Sequence, residues 1–117
     1  MKALIDSWSR YLSKDEVEEH MIAFCQSSQE DKECMIAETF GIFDGKLVGD
    51  VFTYYYHVPR NDSFYDCKYF GTENWWKDCE FRRVDYNFMT DEAVVTPIKK
   101  RTKQIVEMAT ENSYRLL

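Results

Sequence analysis

Apolar positions recur along this chain with a helical period near the N-terminus, an alternating period in the middle and a helical period again at the end. Leu4, Ile5, Trp8, Tyr11 and Leu12 share one side of a short helix over residues 3–12, anchored by Trp8, with Asp6, Ser9 and Arg10 outward. Ser13-Lys14-Asp15-Glu16 has the form of a capping box, in which the Ser13 hydroxyl accepts from the Glu16 amide while the Glu16 carboxylate reaches back. Val17, Met21, Phe24 and Cys25 then repeat at i, i+4, i+7 and i+8. They predict a second helix with Glu16, Glu19 and Gln26 outward, fraying around Ser27-Ser28. Residues 29–33 read as a polar linker.

The stretch 35–57 reads as a β-hairpin. Asp44-Gly45 between apolar runs fits a two-residue type I′ turn, where both central residues take positive φ. The implied register puts Ile36, Glu38, Phe40 and Ile42 on one face with Leu47, Gly49, Val51 and Thr53. Met35, Ala37, Thr39, Gly41, Val48, Asp50, Phe52 and Tyr54 take the other, and since neither face is polar throughout, the sheet should be covered on much of both sides. Residues 58–63 contain Pro, Asn, Asp and Ser and form a loop. A third strand over 64–70, a turn at 71–74 with Trp75-Trp76 on its descending side, and a fourth strand over 79–89 follow.

Within that fourth strand Phe81 shares a face with Arg83, Asp85 and Asn87, opposite Val84, Tyr86 and Phe88. This requires a bulge at Arg82-Arg83 or a face that is polar by design. Val94-Val95 fits a short fifth strand, and Thr96-Pro97 reads as the start of a last helix. That helix buries Ile98, Thr102, Ile105, Val106 and Ala109 and runs close to Tyr114. The expected fold is α+β: one domain with two N-terminal helices, a four- to five-stranded antiparallel sheet and a C-terminal helix. This order of elements, and no more than the order, loosely resembles cone-shaped pocket folds.

A length of 117 residues supports one core. The formal charge of −6 runs against nonspecific nucleic-acid binding, which depends on clustered Lys and Arg. The charge is uneven, acidic over 15–33 and basic at Lys99, Lys100, Arg101 and Lys103, as expected of two solvated helix faces or of a dipolar surface that orients a partner or pairs two copies. Apolar runs are too short for a membrane span and the first ten residues too polar for a signal peptide, so a cytoplasmic protein is expected.

Candidate chemistry is sparse. Cys25, Cys34, Cys67 and Cys79 include no tightly spaced pair, so no metal site is expected; Cys25 and Cys34 read as small buried residues, and Cys67 can fall opposite Cys79 across the sheet. No phosphate-binding loop, dinucleotide fingerprint or nucleophile elbow occurs, and no cofactor is expected. Phe52, Tyr54 and Tyr56 on one face would suit RNA, but the acidic balance opposes it. A catalytic or small-ligand alternative rests on Glu38 held among apolar groups, with Asp50, His57, Arg83 and Asp85 lining a concave sheet face.

The main expectation is a non-catalytic protein-binding module that uses Trp75, Trp76, Tyr54 and Tyr56 as aromatic anchors and Glu18 and Glu19 as charges for a basic partner surface. Its type is that of small acidic inhibitors: immunity proteins, or viral and mobile-element proteins directed at a host defence. Pairing of two copies, through a bare sheet edge or through Trp75 and Trp76, is compatible with either reading.

Overall fold

A computed structural model describes residues 1–59 and 79–112 of the chain. Its elements are α1 (Lys2–Trp8), α2 (Lys14–Gln26), α3 (Gln29–Phe40), β1 (Lys46–Val48), β2 (Val51–Pro59), β3 (Cys79–Asn87), β4 (Glu92–Ile98) and α4 (Lys103–Ala109). The class is α+β, with a four-stranded antiparallel sheet in the order β1-β2-β3-β4. The expected strand over 64–70, the turn at 71–74, the Trp75-Trp76 pair and the pairing of Cys67 with Cys79 lie outside the described residues.

Serine caps divide the N-terminal part into helices. Ser13 and Glu16 close the expected capping box at the start of α2. Ser28 does the same work for α3, its hydroxyl accepting from the Asp31 amide at 3.2 Å, with Glu30 and Asp31 in the first turn favoured by the helix dipole. This overturns both the linker over 29–33 and the first strand of the expected hairpin. Residues 35–40 continue a helix of good helix formers that ends where Gly41 adopts φ 65°. Asp44 does take positive φ, at 58°, but in the loop between α3 and β1. The hairpin turn falls instead at Gly49-Asp50, between Val48 and Val51, with positive φ at Gly49, φ 61°. Gly45 serves packing, since a β-carbon there would run into the Phe52 ring.

The central strands are covered on both faces, at different places. Phe52, Tyr54 and Tyr56 of β2 and Val84 and Tyr86 of β3 pack beneath α1–α3 with Leu4, Trp8, Phe24 and Ile36. Trp8 is the expected anchor, its indole N–H donating to the Thr39 hydroxyl at 3.3 Å. On the opposite face Cys79 and Phe81 pack with Ala109, Ile105 and Val106 of α4. The awkward pattern of β3 is thereby explained without a bulge: the β2–β3 register runs unbroken from Val51 opposite Asn87 to Pro59 opposite Cys79. Phe81 is buried on the face of Arg83 and Asp85 because α4 reaches only that end. Thr96-Pro97 is strand, and the C-terminal helix begins later, where the Thr102 hydroxyl accepts from the Ile105 amide at 3.2 Å.

Asn112 holds the outer edge of β2 where β1 runs out. Its side-chain NH₂ donates to the carbonyls of Phe43 (2.9 Å) and Tyr55 (3.0 Å), and its Oδ1 accepts from the Phe43 amide (2.9 Å). Its own carbonyl accepts from the His57 amide at 3.2 Å. Beside it the His57 Nδ1–H donates to the Ala109 carbonyl at 2.8 Å, which fixes the tautomer. Burial pushes the His57 imidazole below the usual histidine range, against the opposing effect of the Ala109 bond, so the folded chain holds it neutral.

Two outcomes follow from this corner. Asn112→Ala strands several buried backbone groups and should lower the free energy of unfolding by roughly 2–4 kcal/mol in urea titration, against less than about 0.5 kcal/mol for the exposed Gln104→Ala. Because the unfolded chain binds a proton at His57 before the folded chain does, stability should fall as pH drops below about 6.5 and be constant in this respect above it. Unfolding midpoints between pH 7.5 and 5.5 should show that slope in the natural chain and a flatter one in His57→Phe.

Candidate functional site

The capping box sets the phase of α2, and the phase decides what its outer face presents. Val17 and Phe24 are buried and His20 and Met21 half-buried beneath it, leaving Asp15, Glu18, Glu19, Ile22 and Gln26 as an exposed stripe at helical spacing. Ile22 is 52% exposed at the middle of that stripe. Among the described residues Asp15, Glu18 and Glu19 belong to no ion pair. The bonds from Ser13 hold the neighbouring Glu16 carboxyl below its usual range, so it adds a full charge. The outer face of α3 continues the character with Glu30, Asp31, Cys34 and Glu38, all exposed. Cys25 and Cys34, expected to be buried, are both exposed because each falls on a helix side turned away from the sheet.

A cavity of about 270 Å³ opens between α2, α3 and the two turns at the near end of the sheet. Phe24, Ile36, Leu47 and Phe88 form its apolar walls, and Lys32 and Asp50 bring one charge of each sign. The Lys32 ammonium lies 5.8 Å from the centre of the Phe24 ring. Such a space suits a small, largely apolar molecule carrying a charged group.

The sequence-predicted site residues are scattered. Arg83 and Asp85 do meet, at 3.0 Å, and Thr53 donates its hydroxyl to Asp85 at 2.6 Å. Burial alone would raise the Asp85 carboxyl, but the bonds from Thr53 and Arg83 outweigh it and hold the group below its usual range. This is a charged, fully bonded group on an open strand face, poorly suited to proton transfer at neutral pH. Glu38 lies across the sheet on the outer side of α3 rather than among strand apolar groups, and Asp50 sits in the β1–β2 turn. The four residues therefore make no common site. Tyr54 and Tyr56 are 0% exposed and belong to the core, where burial raises the Tyr54 hydroxyl above the usual tyrosine range. Trp75 and Trp76 lie outside the described residues.

Ile22 and Lys32 were missed by sequence reading. Ile22 had a signal, since it stands at i+7 from Asp15 and i+4 from Glu18, off the buried stripe; Lys32 had none while its segment read as a linker. Among the described residues no three His, Cys, Asp or Glu side chains gather as a metal site, and no helix is long and apolar enough to cross a membrane. No protein-family model, curated protein or solved structure matches this chain.

Proposed function

We propose that this chain works without catalysis, in the cytoplasm, by binding another protein through the outer face of α2. The observation that carries the reading is the exposed Ile22 set among the carboxylates of Asp15, Glu18 and Glu19, which form no ion pair among the described residues. Charges of one sign speed encounter with a basic surface and orient it, while an apolar residue at the centre supplies contact that excludes water. A surface of this kind competes with nucleic acid for a basic cleft, which suits an inhibitor of the immunity or anti-defence type. In this reading the Trp75-Trp76 pair supplies a further aromatic contact.

The cavity beside Lys32 and Asp50 favours a second reading, a carrier or sensor of a small, largely apolar molecule carrying a charged group. One measurement separates the two: native mass spectrometry of the tagged chain purified gently from its host's cytosol. The first reading expects a stoichiometric protein on the natural chain and at least about tenfold less of it on the Glu18→Lys/Glu19→Lys variant, with the unfolding midpoint unchanged. Equal recovery of the same protein by the reversed variant would refute the α2 face. A bound mass of a few hundred daltons that disappears in Lys32→Glu would put the cavity first.

A further inference from the structure

The backbone of β4 presents a second surface, on a different side of the molecule. The Phe88 amide donates to the Asp50 carbonyl at 3.0 Å, which makes Val51 and Asn87 a pair without mutual hydrogen bonds. Alternation from that point turns the backbone groups of Phe81, Arg83, Asp85 and Asn87 toward β4, where Ile98, Thr96, Val94 and Glu92 answer them. Ala93, Val95 and Pro97 consequently direct their amide and carbonyl groups away from the sheet. Pro97 loses nothing there, because its missing N–H belongs to the outer side. Among the described residues no strand lies beyond β4, and every residue from Glu92 to Pro97 is exposed, Val94 at 61%.

The opposite edge of the sheet is treated differently. There β1 pairs with the start of β2 and Asn112 takes up the groups of Tyr55 and His57 beyond it. One edge is closed by dedicated groups; the other is long and, among the described residues, bare, with valines on both faces.

We infer that β4 pairs antiparallel with β4 of a second copy, about a two-fold axis at Thr96. The charges at the two ends of the strand select this occupant. Asp91 and Glu92 precede the strand's apolar centre and Lys99 and Lys100 follow it. Reversing one copy against the other brings Glu92, the first residue of the strand, beside the end of the second copy's strand, where Lys99 and Lys100 follow Ile98, and does so twice. Glu92, Lys99 and Lys100 belong to no ion pair among the described residues, so they are available for it. The outward amides of Ala93 and Val95 meet outward carbonyls, and Pro97 takes part as an acceptor. A parallel pairing would instead set like charges side by side. The assembled sheet would be continuous across both copies and would leave the α2 face of each free, so this inference stands or falls separately from the proposed partner site.

Sedimentation equilibrium at micromolar to high micromolar concentration tests it. The natural chain should approach twice its 14.0 kDa mass. Glu92→Lys and Lys100→Glu should each weaken self-association by at least about tenfold, since each sets like charges opposite one another at two places. Mixing the two variants should restore a dimer containing one of each, because every opposed pair is then of opposite sign. Val95→Pro, which removes an outward amide and leaves the ladder to β3 intact, should also give a monomer with native circular dichroism. A natural chain that stays monomeric throughout, or a dimer indifferent to both reversals, would overturn the inference. So would failure of the mixed variants to associate while both remain folded. Glu18→Lys/Glu19→Lys should leave the dimer unchanged.

Discussion

A single buried asparagine closes the structure. β1 pairs with only the first residues of β2, and among the described residues no strand meets the amides and carbonyls on that side of β2 beyond it. A buried backbone group without a partner costs about 1–3 kcal/mol, a sizeable part of a small domain's stability. Asn112 meets that need in one residue: the NH₂ and Oδ1 of its side chain serve Phe43 and Tyr55, while its backbone carbonyl serves His57. It thereby joins the α3–β1 loop, the free part of β2 and the end of α4. No other side chain offers donors and an acceptor at one tip in so small a volume except glutamine, which is longer by a methylene.

That closure permits an unusual distribution of cover. Helices α1–α3 lie on one face of the sheet, and α4 lies on the other only near His57, Phe81 and Cys79. The remaining part of the second face is held by a polar set, with Thr53 and Arg83 both bonded to Asp85. The Arg83 guanidinium, charged in any case and raised further by its bonds to Asp85, keeps this face polar, while among the described residues no strand lies beyond β4. The acidic stripe of α2 faces away from both. Three surfaces of different chemistry thus arise from one sheet: a charged helix face, a polar strand face and an unpaired edge.

Reading of the sequence succeeded where local chemistry decides. The Ser13–Glu16 capping box, the helical phase of Leu4 and Trp8 and of Val17 and Phe24, and the strand character of Cys79 to Asn87 all depend on neighbours within a few residues. It failed over residues 29–43, where an apolar run leading to Asp44-Gly45 imitates a hairpin arm. Ser28, read as the fraying end of the second helix, caps α3, and Gly41, read as a strand residue, ends it in the left-handed region. Thr96-Pro97 misled for a related reason: proline suits the first turn of a helix and the outer side of an edge strand equally well, and only strand pairing distinguishes the two. The candidate site was legible in part. Glu18 and Glu19 follow from helical phase, whereas Tyr54 and Tyr56 are interface residues by type and core residues by position.

By itself, then, the sequence determined the class, the order of most elements, the capping box at Ser13 and the acidic outer face of α2, because these follow from spacing along the chain and from side-chain chemistry within one or two turns. Only tertiary structure decided which aromatic residues are covered, that Glu38 and Asp85 lie on opposite sides of the sheet, that Asn112 completes β2 and that β4 has no neighbouring strand beyond it among the described residues. Each of these depends on contacts between residues far apart in the chain, Phe43 with Asn112 or Phe81 with Ile98. Local periodicity carries no record of which distant segment will arrive to bury a face or satisfy an edge.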